Sequence, residues 1–253
     1  MGRTILITGG SRGIGRATAI LAAEQGWQVA LTYRADAAAA QETVAAVQTA
    51  GGPALAIAGD VTVEADVVHA FDAAIALFGR LDAVVVNAGI VAPSATLAEM
   101  TLARLERMFD TNILGAFLVA REAARRLPQA TAAATGADAA GAIVFVSSAA
   151  ARLGSPFEYV DYAASKGAID TLTVGLAKEL APARIRVNAV RPGLIETDIH
   201  ASGGQPDRAQ RLGATVPMAR PGTAAEVAHA ILWLCGTGAS YATGAILDIA
   251  GGR

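Results

Sequence analysis

Two tyrosines and a lysine stand in one short stretch, SPFEYVDYAASKGAID, at residues 155 to 170. Tyr162 and Lys166 are four positions apart, which on a helix puts them on one face about 6 Å apart at a rise of ~1.5 Å per residue. Tyr159 lies seven positions from Lys166, roughly 10.5 Å along the same axis, so only Tyr162 is within reach of the ammonium. A phenol with an ordinary pKa near ~10 needs roughly 4 kcal/mol of preferential phenolate stabilisation to titrate near ~7. A nearby lysine ammonium, reinforced by the positive charge of an oxidised nicotinamide, is an adequate source. Such a tyrosine gives or takes a hydroxyl proton while hydride moves to or from a cofactor. Taken alone the pair is ordinary, because Tyr-x-x-x-Lys spacing occurs on many helix surfaces. Tyr159 reads as an apolar or pocket-wall residue.

A second cluster lies near the start of the chain. TILI, at 4 to 7, runs into TGGSRGIG, Thr8 to Gly15, and then into the helical stretch RATAILAAEQG. Glycines at a strand-to-helix turn let backbone approach a diphosphate, and the helix N-terminus offers free N–H donors and a positive dipole. Gly9, Ser11, Arg12, Gly13, Ile14 and Gly15 are therefore expected at a dinucleotide. At the tip of the second strand, TYRAD puts Tyr33 and Arg34 where an acid would select a ribose 2′-OH. Arg34 with Arg12 can fork onto a 2′-phosphate through charge-assisted bonds. NADP(H) is the expected cofactor, with NAD(H) as the alternative, and Asp36 is expected to cap the next helix. Beyond the third strand, Asp60 and Val61 are placed to meet the adenine end, though Asp60 alone reads as a loop acid or helix cap. Beyond the fourth, Asn87, Ala88 and Gly89 let backbone pass the ribose.

These residues need a scaffold that gathers strand ends. Seven short apolar runs, at 4–7, 29–33, 54–58, 83–86, 142–146, 186–190 and 245–249, read as strands, and four of the six intervals carry apolar residues at helical spacing. Thr62 is cap-like before one helix, and Gly26 and Gly79 end two others. Repeated β-α-β units predict an α/β, single-domain, doubly wound fold over residues 1 to 253, a seven-stranded, mostly parallel sheet with helices on both faces. The alanine-rich stretch 129 to 142 reads as a surface connection. The segment 192 to 222, with five glycines and four prolines, reads as a mobile substrate lid at about 193 to 217.

Composition narrows the classes. With 53% hydrophobic residues, 17% charged and a net charge of −2, the chain has no basic field for nucleic acid. Its lone cysteine, Cys235, sits in the apolar run AILWLCG and reads as a buried helix residue. Three scattered histidines without clustered acids point to no metal site. MGRTILITGG is too short an apolar stretch for a leader or a membrane span, so a cytoplasmic protein off the membrane is expected.

In this order the motifs resemble the short-chain dehydrogenase/reductase family of single-domain Rossmann type, over residues 4 to 253. TGGSRGIG resembles the family's cofactor turn, NAG its fourth-strand motif, TNILGAF its helix motif, VSS its strand-five serine, YAASK its catalytic pair, and RPGLIET the loop that closes on the nicotinamide. The resemblance implies a tetrad of Asn112, Ser148, Tyr162 and Lys166. Ser148 would bond the substrate oxygen and Tyr162 would exchange its proton. Lys166 would lower the tyrosine pKa and bind the nicotinamide ribose, while Asn112 would hold a proton-relaying water. Pro192 and Gly193 fall in the nicotinamide loop, with Ile195 and Thr197 contacting the carboxamide by backbone and hydroxyl.

Two departures stand out. Val86 replaces a common asparagine, a change expected to affect strand packing. Thirteen residues separate Ser148 from Tyr162, one more than the usual interval, which would land on Ala149; the extra residue is placed after Gly154. Ser147 is the lesser candidate, because alternation along the strand turns it the other way.

The family resemblance implies reversible hydride transfer between NADP(H) and a small-molecule carbonyl/alcohol pair, favouring reduction. A 3-oxoacyl thioester, a sugar or polyol, and a small ketone or aldehyde stay open as substrates. An acidic carrier protein would want a basic patch, for which Arg121, Arg125 and Arg126 are candidates, although a solvated face or subunit contact is the plainer reading. In the lid, Asp198, His200 and Arg208 read first as solvated and second as substrate contacts. A homotetramer or homodimer is implied, through helices 102 to 127 and 160 to 180 and the last strand. The competing class is a redox-sensing scaffold that binds dinucleotide without turnover, against which the intact tetrad counts.

Overall fold

Strands with almost no polar side chains can be covered on both faces, and the structure does this with five-, four- and six-residue apolar runs. The computed structural model describes residues 2–131 and 141–253, so most of the alanine-rich connection at 129 to 142 lies outside the described residues. Among these residues, strands β1 (Thr4–Ile7), β2 (Gln28–Tyr33), β3 (Ala54–Ala58), β4 (Ala83–Val86), β5 (Gly141–Val146), β6 (Ile185–Pro192) and β9 (Ile246–Ile249) form one sheet in the order β3-β2-β1-β4-β5-β6-β9. Every pairing is parallel, with Ile5 opposite Val29 on one side and Ala83 on the other. The sheet is thus wholly rather than mostly parallel. Two further short strands, β7 (Ile195–Glu196) and β8 (Gly222–Thr223), pair separately.

Helices α3 (Glu64–Phe78), α5 (Gly115–Thr131) and α7 (Val160–Leu180) cover one face, burying Phe71, Val119 and Ile169 against β4 to β6. Helices α1 (Gly13–Glu24), α2 (Ala37–Thr49) and α10 (Ala224–Cys235) cover the other, around Trp27, Leu31 and Ile231. This is the doubly wound Rossmann architecture, and its strand order reverses between β1 and β4.

Local signals account for some helix ends. The Asp36 carboxylate accepts the Ala39 N–H at 2.9 Å at the start of α2, and Gly79 closes α3 in the left-handed conformation at φ 76°. Thr62 does not cap α3. Val63 holds that position without a side-chain bond, and the Thr62 hydroxyl turns back to donate to Asp60 at 2.8 Å. The long helix expected at 102 to 127 is α4 (Leu102–Phe109) and α5 joined through a π-helical turn, Asp110–Leu114. Such a turn inserts one residue per cycle and re-aims its side chains, here those of the TNILGAF motif.

The segment expected to form a lid is folded too, with α8 (Ile199–Ser202), α9 (Arg208–Gly213) and a small apolar cluster of Leu194, Ala209, Leu212 and Val216. Between β5 and α7 runs the one-turn helix α6 (Ala150–Leu153).

Phe145, fully buried in β5, fills the space between sheet and helices. Phe145→Ala is expected to cost about 3–5 kcal/mol, read as a lower urea midpoint with unchanged slope.

Candidate active site

A cleft of about 770 Å³ opens at the carboxyl ends of the strands, where the order reverses. Its wall takes every residue the sequence marked for cofactor or chemistry except Gly15 and Asn112, which stand directly behind it. A Cβ on Gly15 would collide with the Gly9 carbonyl and lie 2.7 Å from Asn87 Nδ2. The Asn87 amide donates to the carbonyls of Thr8, at 2.8 Å, and Gly9, at 2.9 Å. In return the Thr8 hydroxyl accepts the backbone N–H groups of Asn87 and Ala88. Asn87 therefore braces the glycine turn. The first turn of α1 has no side-chain cap and no acid, leaving its N–H donors facing the cleft. Backbone cradle and helix terminus together fit a diphosphate. Arg12 is exposed beside the turn, and Arg34 meets Asp60 at 3.6 Å with 62% of its side chain exposed.

At the other end of the cleft, three successive residues of one segment meet three residues of α7 spaced four apart. Lys166 Nζ donates to the Val146 carbonyl at 2.8 Å, the Ser147 hydroxyl donates to Asp170 at 2.7 Å, and the Ser148 and Tyr162 hydroxyls are hydrogen-bonded. Residues 162, 166 and 170 form one stripe of a 3.6-residue helix. Lys166 Nζ lies 5.6 Å from the centre of the Tyr162 ring.

Burial governs the proton affinities. It pushes the Lys166 ammonium down to about 8, against the opposing charge of Asp170. It also pushes Tyr162 above the ordinary tyrosine range, with the Ser148 bond acting in the other direction. The expected lowering of Tyr162 by Lys166 is therefore absent from this geometry, because desolvation of the phenolate dominates and the ammonium is directed at a carbonyl. Ser147 is set apart from Tyr162, though not by alternation: its hydroxyl also reaches α7, two turns further along.

Asn112, in the π turn, is 1% exposed. Its Oδ1 accepts the Ile90 N–H at 2.8 Å, and its Nδ2 donates to the Ile90 carbonyl at 3.0 Å and to Ser165 at 3.1 Å. A Cβ on Gly89 would sit 3.3 Å from Asn112 Oδ1 and 3.4 Å from Lys166 Nζ, so loop, π turn and α7 converge there. Val86 is core, and the buried Cys235 thiol is pushed up to about 12, far from nucleophilic use.

A family described as enoyl-(acyl carrier protein) reductase matches residues 9–253. The chain is 51% identical over 248 residues to "Uncharacterized oxidoreductase YgfF" of Escherichia coli (strain K12), covering 98% of each. Among solved structures it resembles a short-chain type dehydrogenase/reductase from Mycobacterium marinum, with a TM-score of 0.91, 35% identity and 99% and 95% of the two chains covered. The chain belongs to the short-chain dehydrogenase/reductase family. It also resembles a 3-ketoacyl-(acyl-carrier-protein) reductase from Brucella melitensis complexed with NADH, with a TM-score of 0.91, 32% identity and 100% and 98% covered. As a short-chain dehydrogenase/reductase it is an oxidoreductase acting on CH–OH or C=O groups, and its Rossmann fold is one that binds NAD(P)(H).

In this short-chain dehydrogenase/reductase the segment after β6 is tied down by contacts no motif announces. Arg208 donates to both Glu158 oxygens, at 2.7 and 2.6 Å, and lies 5.1 Å over the Tyr159 ring. Gln205 donates to the Tyr159 hydroxyl and to Ser94, each at 2.7 Å. Arg208 is thus ion-paired rather than solvated, and Tyr159, 7% exposed, lies beneath it on the cleft wall. Asp198 lies on the cleft wall, while the His200 side chain lies outside the described residues. The wall-forming stretch carries Ser155 at φ 44° and Phe157 at φ 63°, left-handed conformations that cost a side-chain-bearing residue about 1 kcal/mol or more each. The arginines considered for a basic patch are paired with acids: Arg121 with Glu64, Arg125 with Glu122, Arg126 with Glu122 and Asp72. Asp170, four residues beyond Lys166, joins the same helix face, and its signal in the sequence is the i, i+4 spacing that also pairs Tyr162 with Lys166.

Hydrogen bonds from Arg208 hold the Glu158 carboxyl below the usual glutamate range. A depressed folded pKa means the pair contributes fully above the unfolded value near ~4.3 and is lost as pH falls through the folded one. Glu158→Gln is expected to speed amide exchange across residues 199–213 at neutral pH. It should also remove the further loss of protection, relative to the intrinsic rate at each pH, that acid produces in the parent protein. Matching exchange in both proteins at both pH values would show that the pair does not hold this segment.

Proposed function

We propose that this chain transfers hydride between NADP(H) and a small-molecule carbonyl/alcohol pair, working chiefly as a reductase, with Tyr162 as general acid/base. The observation that carries this reading is the Tyr162 hydroxyl, bonded to Ser148 on the cleft wall with Lys166 one helical turn behind it. NADPH, when bound, supplies the hydride. Ser148 and Tyr162 hold the substrate oxygen between their hydroxyls, and the tyrosine passes its proton to that oxygen as negative charge develops there. The protonated phenol is the acid that reduction requires, and its phenolate is the base that the reverse oxidation requires. Lys166 would hold the nicotinamide ribose, and Asn112, bonded to the Ile90 backbone, would hold a relaying water.

Gly9, Ser11, Gly13, Ile14 and Gly15 would hold the diphosphate. Tyr33, Asp60, Val61, Asn87, Ala88 and Gly89 would line the adenosine and ribose. Pro192, Gly193, Ile195 and Thr197 would close on the nicotinamide. Preference for the 2′-phosphate rests on Arg12 and Arg34. The Arg34–Asp60 pair is long and solvent-exposed, so little holds Arg34 back from a phosphate, and the nearby Asp36 carboxylate is occupied by its helix cap.

Beyond Tyr162 the wall carries apolar Leu153, Pro156, Tyr159 and Ile199 beside Ser155, Asp198 and Arg253, and the Arg208 and Glu158 charges there are paired with each other. A neutral ketone or aldehyde fits this best. The 3-ketoacyl substrate in the Brucella protein's description is the second reading, weakened by the neutralised arginines. A sugar or polyol is third. The protein is placed in the cytoplasm as a homotetramer or homodimer, which would cover the exposed Leu114, Phe117 and Val174. Among the described residues no helix is long and apolar enough to cross a membrane, and no group of three ligating side chains forms a metal site.

NADPH consumption with small ketones, aldehydes, sugars and 3-oxoacyl thioesters tests the proposal, and Tyr162→Phe is expected to lose about 10²-fold or more in kcat. Tight NADPH binding without turnover of any substrate would favour the redox-sensing scaffold. Arg34→Asp is expected to shift preference toward NADH by about tenfold, and unchanged preference would remove Arg34 from the phosphate site.

A further inference from the structure

We infer that Asp170 is a positioning residue for Lys166: its carboxylate, clamped between Ser147 and Arg191, keeps the buried ammonium charged and pins the end of β5 to α7. The inference rests on the proposed role of Lys166 beside Tyr162. The two oxygens of Asp170 have separate partners. One accepts the Ser147 hydroxyl at 2.7 Å, and the other accepts Arg191 Nε at 3.0 Å and a terminal nitrogen at 2.9 Å. The Ser147 hydroxyl also lies 3.2 Å from the Lys166 carbonyl. Asp170 therefore tethers the residue that stands between Val146, whose carbonyl receives Lys166, and Ser148, whose hydroxyl meets Tyr162. If this tether slackens, both partners of the reacting groups move together.

Lys166 and Asp170 are 5% and 9% exposed. A buried ammonium with only a carbonyl acceptor would tend to shed its proton. Burial lowers the Lys166 pKa to about 8, and the charge of Asp170 opposes that fall. The groups packed around the lysine are Tyr162 and Asp170 on α7, Val146, Ser147 and Ser148 at the end of β5, and Asn112 in the π turn. Behind Asp170 stand Arg191 on β6 and, 3.7 Å from Arg191, Asp248 on β9. Arg191 balances part of the Asp170 charge and fixes its direction, and Asp248 balances part of Arg191.

The sequence offers a direct readout, because it contains just two lysines, Lys166 and the exposed Lys178. In protein labelled with ¹³C,¹⁵N-lysine and free of substrate and cofactor, each side chain gives its own NMR titration. Asp170→Asn, which keeps the shape of the carboxylate, is expected to lower the Lys166 midpoint by about one pH unit or more and leave Lys178 unmoved. Should that variant not fold, Asp170→Asn with Arg191→Gln removes both charges and is expected to lower the midpoint by less. A purely structural Asp170 would lower Tm while the midpoint stayed put, and an unmoved or raised midpoint overturns the inference. The titration needs no turnover, so failure of the carbonyl panel would count against the proposed function alone.

Discussion

Where β5 runs out, its last carbonyl has no strand partner beyond it, and an ammonium from α7 fills that vacancy. This bond between Lys166 and Val146 joins a backbone group that must be satisfied to a charge that must not be buried alone, so each explains the other's position. The arrangement works only because β5 is held on both sides, Val144 facing Val85 and Asn188, with Ile143, Val144 and Phe145 sealed from water. A strand at the edge of the sheet would be free to shift, and the serine and carbonyl that meet α7 would shift with it. The central place of β5 in the strand order is thus what turns a helix stripe into a site.

The cleft has two mechanically different ends. At the glycine-turn end, Thr8 and Asn87 lock the turn to the loop after β4 through neutral, part-buried hydrogen bonds. Asn112 does the same for Ile90. Such bonds are insensitive to pH and salt, which suits a platform. At the other end, a charged arginine–glutamate pair and an amide tie residues 205 and 208 to Glu158 and Tyr159.

Much of this was legible in the residues. Strand limits fell within a residue or two of the apolar runs, because strands buried on both faces leave an uninterrupted apolar trace. The Asp36 cap and the Gly79 terminus were readable for a similar reason, since both are settled by side chains within three or four positions. Thr62 failed because Asp60, two residues back, competed for its hydroxyl. The pairing of Arg208 with Glu158 was invisible, since nothing in either neighbourhood singles out a partner fifty residues away.

The catalytic spacing belongs to the same division. That Tyr162 and Lys166 share a face follows from helix geometry alone, and no tertiary contact was needed to see it. Whether the phenol becomes more or less acidic depends on what surrounds it. Folding buries it and turns the lysine toward a carbonyl, so the shift runs upward, opposite to what the pair in isolation implies. Periodicity and turn chemistry act over a few residues and are written along the chain. Dielectric, ion pairing and strand order are set by segments far apart in sequence, and they exist once the sheet has brought those segments together.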